Sequence, residues 1–137
     1  MRWPGESVRS AKKGAASSSA AYEEEHEEVD RDMKVISLSD YQQFSGEKMK
    51  KNNIFETPRF FCDVYCFEPG QEQKGHVHGE QDKVYLVLEG QGTFQVGNEK
   101  HELGPGEGTM APAGEAHGVL NHTGARLKVL VFVAPNP

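Results

Sequence analysis

Short apolar stretches, separated at regular intervals by glycine and proline turns, constrain this chain more than any other feature. Residues 84–88 form a nearly continuous apolar run, of the length expected for a strand buried on both faces. Residues 92–96 and 100–103 flank Gly97-Asn98, a dipeptide that tolerates positive φ, and so predict a hairpin. Gly104-Pro105-Gly106 marks another corner, and residues 59–67, 109–111, 117–120 and 126–133 complete the set of strands. Residues 33–38 alternate apolar and polar and predict an opening strand, after which Ser39 or Asp40 caps a short helical turn running to Phe44. Many short strands with Gly/Pro turns predict an all-β sandwich or barrel.

A length of 137 residues allows one domain with one core. Residues 1–32 differ in kind from the rest: Ala, Ser, Lys and Gly dominate 11–21, and Glu and Asp dominate 22–32. Such a segment has too little apolar surface to offset chain entropy, so a disordered polar and acidic tail is expected over 1–32 and a barrel over 33–137. A net charge of −6 argues against nucleic acid as a partner, since its recognition wants a basic face. The chain has no run of about 18 apolar residues for a membrane helix and no apolar core of a secretory leader, so a cytoplasmic protein is expected. Cys62 and Cys66 fall on one predicted strand, where four residues span about 13 Å. That exceeds the ~7 Å limit between the Cα atoms of a disulfide, so two reduced thiols are expected.

Three histidines stand out. His76 and His78 are spaced to share one face of a strand, because side chains alternate with period two. His117 arrives on a distant strand and completes a three-nitrogen set that suits a divalent transition metal. His101 and His122 fit no such pattern and are expected at the surface.

The residues around these histidines fall into two spaced motifs. In the second, Gly106, Pro112, Gly114, His117 and Asn121 all occupy the positions of G-x5-P-x-G-x2-H-x3-N. In the first, Gly70, His76, His78 and Gly90 fit G-x5-H-x-H-x3–4-E-x6-G, and Lys83 stands in the glutamate's slot. Over residues 59–133 the chain therefore resembles the small single-domain cupins of the RmlC-like superfamily. The resemblance implies a double-stranded β-helix, or jelly-roll barrel, with His76, His78 and His117 on a divalent metal such as Fe, Mn, Ni or Zn. It also implies a small-molecule ligand in the barrel and a homodimer, for which residues 33–38 offer a strand able to join a partner's sheet edge.

Lys83 departs from that pattern. A protonated amine has no lone pair for a metal, and it repels a dication. Three roles compete: Lys83 pairs with an acid such as Asp82 or Glu80, it holds an anionic substrate, or the barrel has kept a ligand and lost tight metal binding. Gln81 shares the strand parity of Lys83 and offers an amide oxygen as a fourth ligand. Asp82 is the better donor chemically but lies one residue out of phase, so both stay open. Tyr85 and Val87 share Lys83's parity and are expected to line the pocket with Phe94. Pro112 and Gly114 are expected to shape the loop that delivers His117, and Asn121 to bond backbone beside it. Two functions follow: a metal-dependent enzyme, an oxygenase or isomerase, or a non-catalytic module that binds or senses a small ligand.

Because residues 1–32 carry no amphipathic pattern, a chain beginning at Met33 is expected to melt within about two degrees of the full chain. Differential scanning calorimetry checks this, and a midpoint lower by roughly ten degrees would place the segment in the core or in an oligomer contact.

Overall fold

A computed structural model describes residues 32–77 and 79–137, with His76 described by its backbone alone. The chain divides between Val35 and Ile36. The expected tail therefore lies outside the described residues, Asp32 excepted. The opening strand expected over 33–38 does not form. Residues 33–37 are irregular, Met33 and Val35 are 86% and 77% exposed, and Leu38–Tyr41 is a single 3₁₀ turn after Ser37. Two alternating apolar residues are too few to hold a strand by themselves.

From Ile36 onward the chain is all-β. Among the described residues, nine strands make two antiparallel sheets: β1 (Lys50–Thr57), β2 (Phe60–Phe67), β3 (Glu72–His76), β4 (Asp82–Glu89), β5 (Gly92–Val96), β6 (Glu99–Leu103), β7 (Gly108–Ala111), β8 (His117–Leu120) and β9 (Leu127–Ala134). The five-stranded sheet runs β1-β2-β9-β4-β7 and the four-stranded sheet β3-β8-β5-β6. The crossed order is that of the double-stranded β-helix, in which the chain passes repeatedly from one sheet to the other. The β5–β6 hairpin closes at Gly97-Asn98 as expected, with Val96 opposite Glu99.

Residue chemistry explains which segments pair centrally. β9 alternates in burial along its whole length, sending Leu127, Val129, Val131 and Val133 inward. β4 does the same with Lys83, Tyr85 and Val87, while Asp82, Val84 and Leu86 face out. With Tyr65, Phe67, Phe94, Val119 and Met49, the inward side chains of β9 and Tyr85 and Val87 of β4 form one apolar core between the sheets. Cys62 and Cys66 lie on β2 as free thiols, and burial pushes the Cys66 thiol up to about 11.

β1 and β3 are not evident from hydropathy. β1 reads KKNNIFET, and its place is secured by Asn52, whose amide donates to the carbonyls of Gln43 and Val64 at 3.1 and 3.2 Å. β3 reads EQKGH and pairs with β8 across a register shift between Gln73 and His76.

One end of the barrel is tied by Asn121, which is fully buried. Its side-chain amide donates to the carbonyls of Phe67, Glu68 and Ala125 at 3.3, 3.2 and 2.7 Å, and its side-chain oxygen accepts from the backbone and hydroxyl of Thr123. Its backbone exchanges bonds with Gln71 and Gly70. Beside it, Gly90 takes φ +83°, and an added β-carbon there would collide with the Arg126 carbonyl.

Asn121→Ala removes a buried donor group shared by three backbone carbonyls, which should cost about 2–4 kcal/mol. The expected result is a melting temperature lower by roughly 10 °C or more; an unchanged midpoint would mean that these loops hold without it.

Candidate functional site

β8 begins with His117, which is 2% exposed. Before it, Gly114 adopts φ +88°, a left-handed turn that a β-carbon disfavours, and the Glu115 amide bonds the Pro112 carbonyl. That tight loop brings the Glu115 carbonyl within 3.1 Å of His117 Nδ1. A carbonyl only accepts, so Nδ1 carries the proton and Nε2 the lone pair. This is the tautomer and second contact of a metal-ligating histidine.

His76 is the Cα partner of His117 across β3 and β8. β3 ends at His76, and His78 lies outside the described residues. Among the described residues, no three His, Cys, Asp or Glu side chains gather into a group that could hold a metal. The described part of the site thus contributes one imidazole suited to a metal. His101 and His122 are exposed, as expected, and His122 pairs with Glu102 at 2.6 Å.

Lys83 points into the barrel and is 4% exposed. Its Nζ lies 5.1 Å from the centre of the Tyr65 ring and 5.4 Å from that of Tyr85. Neither Asp82 nor Glu80 pairs with it: Asp82 faces out, and its carboxylate accepts from the Ala113 amide at 2.9 Å. Asp82 is thereby excluded from the barrel by strand parity. Gln81 is buried, and its amide donates to the Pro135 carbonyl at 3.1 Å. No described contact brings Gln81 to His117.

Tyr85 connects the two parts. Its ring centre is 6.3 Å from that of His117 and 5.5 Å from that of Phe94, and its hydroxyl donates to Gln73 Oε1 at 2.9 Å. Gln73, on β3, is 7% exposed, and its Nε2 is buried without a hydrogen bond. Tyr65 stands beside it, and burial holds both phenols above the usual tyrosine range and therefore protonated. A cavity of about 190 Å³ lies between Lys83, Gln73, Tyr65, Phe61 and Lys51, and Gln81, Val133 and Pro137 also line it. Gln73, Tyr65 and Lys51 carry no signal in the sequence. Gln73 and Lys51 lie on the two polar strands that hydropathy does not show, and Tyr65 has nothing in its flanks to separate a site wall from core.

Burial lowers the Lys83 pKa to about 7, with the Lys51 charge acting in the same direction and Asp63 opposing both. An amine that sheds its proton near neutrality serves as a base or nucleophile, which an ordinary lysine does not. The unfolded chain keeps that proton up to the usual lysine value of about 10.4. Between those values the unfolded state binds more protons than the folded one, so stability is expected to rise with pH across that window. Lys83→Met should lack the rise. Denaturant unfolding of both proteins at about pH 6.5, 8 and 9.5 checks this, and parallel profiles would remove Lys83 as the cause.

Comparison with known proteins agrees with this architecture. The family model described as the cupin domain matches residues 63–133. Among solved structures, TT1209 from Thermus thermophilus is 42% identical, with TM-score 0.74 over 77% of this chain and 100% of that one. An RmlC-like cupin protein from Desulfovibrio desulfuricans is 31% identical, with TM-score 0.66 over 76% of this chain and 98% of that one. A protein with a double-stranded β-helix domain from Klebsiella pneumoniae is 26% identical, with TM-score 0.70 over 76% of this chain and 91% of that one. No curated protein matches. With both motifs placed on the two sheets and the family model spanning half of the sequence, this chain belongs to the cupin family.

Proposed function

We propose that this cupin binds a divalent transition metal through His76, His78 and His117 and acts on a small organic molecule in the barrel, as an oxygenase or isomerase. The observation that carries the reading is the Nδ1 contact of His117 with the Glu115 carbonyl, which presents Nε2 as the ligating nitrogen. The backbone register of His76 opposite His117 supports it. A metal held there supplies a Lewis-acid centre with positions open to the molecule bound beside it.

The chain's own residues bind and orient that molecule. Lys83 and Tyr85 face it from β4, as one charge and one aromatic wall. The Tyr85 hydroxyl fixes the Gln73 amide, and the Tyr65, Tyr85 and Phe94 rings exclude water from the interior. Excluding water strengthens each polar contact made inside. A second reading, a non-catalytic binding or sensing module, is favoured by the inward Lys83 in the family's glutamate slot, which lowers the affinity of the site for a dication.

Calorimetric titration of chelator-treated protein with Zn²⁺, Fe²⁺, Mn²⁺ and Ni²⁺ decides between them. One equivalent is expected to bind, His117→Ala should weaken it by roughly a hundredfold or more, and Lys83→Glu should tighten it. Uptake of none of the four metals by the wild-type chain would leave the binding module.

A further inference from the structure

The cavity beside Lys83 has a composition of its own. Lysines 51 and 83 both line it, and no Asp or Glu side chain does. Lys83 Nζ has no hydrogen-bond acceptor or carboxylate within bonding distance among the described residues, and aromatic faces are its described partners. Gln73 Nε2, on the amide whose oxygen the Tyr85 hydroxyl holds, has no acceptor in hydrogen-bond geometry among the described residues, and the Tyr65 phenol is its polar neighbour. A buried amide donor short of an acceptor and a buried amine with no carboxylate within bonding distance both gain from an anion, and one cavity holds them together. The remaining walls are Phe61, Tyr65, Val133 and Pro137, with the Gln81 amide.

We propose that this cavity is a carboxylate subsite, in which Lys83 Nζ and Gln73 Nε2 hold the carboxylate of a small organic acid and Tyr65 and Phe61 receive its carbon body. The two donor groups match the two oxygens of a carboxylate. A phosphate would bring further oxygens into a pocket whose other walls are mostly carbon and ring. Lys51 adds field at the same ring, 5.4 Å from the Tyr65 centre, and so favours entry of an anion over a neutral molecule. The subsite deepens the proposed small-molecule reading of the barrel, but it stands on Lys83 and Gln73 and not on a metal.

The probe is benzoate, with benzamide as the neutral molecule of the same shape. Both are titrated at about pH 6, where Lys83 is protonated, into the full chain, with and without chelator, by calorimetry and by ligand-observed NMR. Benzoate is expected to bind roughly tenfold or more tightly than benzamide, since it gains a charge-assisted bond. Lys83→Met and Gln73→Leu should each reduce that preference, with folding of each variant checked by circular dichroism. The wild-type comparison needs no variant and decides the matter even if both variants misfold. Equal affinities for the two probes, or no benzoate binding, overturn the subsite. Benzoate binding that disappears with chelator overturns it as well, because the metal would then be the anchor. Retained benzoate preference in a chain that takes up no metal supports the subsite while refuting the metal reading.

Discussion

β4 is hydrogen-bonded along both edges, and the interior of the barrel depends on that. Lys83 is opposite Val133 of β9 and Ala111 of β7, and Tyr85 is opposite Val131 and Thr109. A strand paired on both sides cannot slide without breaking two ladders at once, and a slip of one residue would exchange its faces. The inward position of a charged residue is therefore enforced by its neighbours, against the cost of desolvating it. The sheet holds Lys83 where water would otherwise draw it out, and the lowered proton affinity of the amine is the electrostatic consequence.

The two halves of the interior are joined through Tyr85. Its ring neighbours both His117 and Lys83, so an imidazole suited to a metal and a buried amine share one aromatic wall. The Gln73 amide completes the connection from β3. These groups come from strands in both sheets, which is why a barrel of this size can place them within reach of one small molecule.

Much of this is legible in the sequence because it depends on local patterns. Strand parity groups Lys83 with Tyr85 and Val87, as the structure does. The apolar run 84–88 predicts burial on both faces, whereas Val84 and Leu86 face out because β4 is covered on one side only. The turn at Gly97-Asn98 sets the β5–β6 hairpin, and Gly114 shapes the loop before His117 as expected. Asn121, by contrast, bonds backbone at the opposite end of β8 and not beside that loop. What is illegible depends on partners far along the chain. β1 is polar at most positions and becomes a strand because β2 offers it an edge and Asn52 secures it. β3 contains one glycine and three charged or amide side chains, and pairing with β8 makes it a strand. Residues 33–38 show the opposite error, an alternating pattern with no sheet to receive it. Lys51 and Gln73 lie on the two unseen strands, so the cavity they line is hidden with them.

The registers also separate the two ends of the barrel. Leu127 pairs with Phe67 at the end closed by Asn121, where Gly70 bonds back to the same residue. Val133 pairs with Phe61 and with Lys83 at the other end, and His117 lies at the end of β8 away from Asn121. A barrel stoppered at one end and chemically equipped at the other is a cul-de-sac. If the proposed small molecule binds there, it would enter and leave by the same mouth, so its orientation on arrival would be the one in which it meets the histidine, and traffic would be a queue rather than a flow.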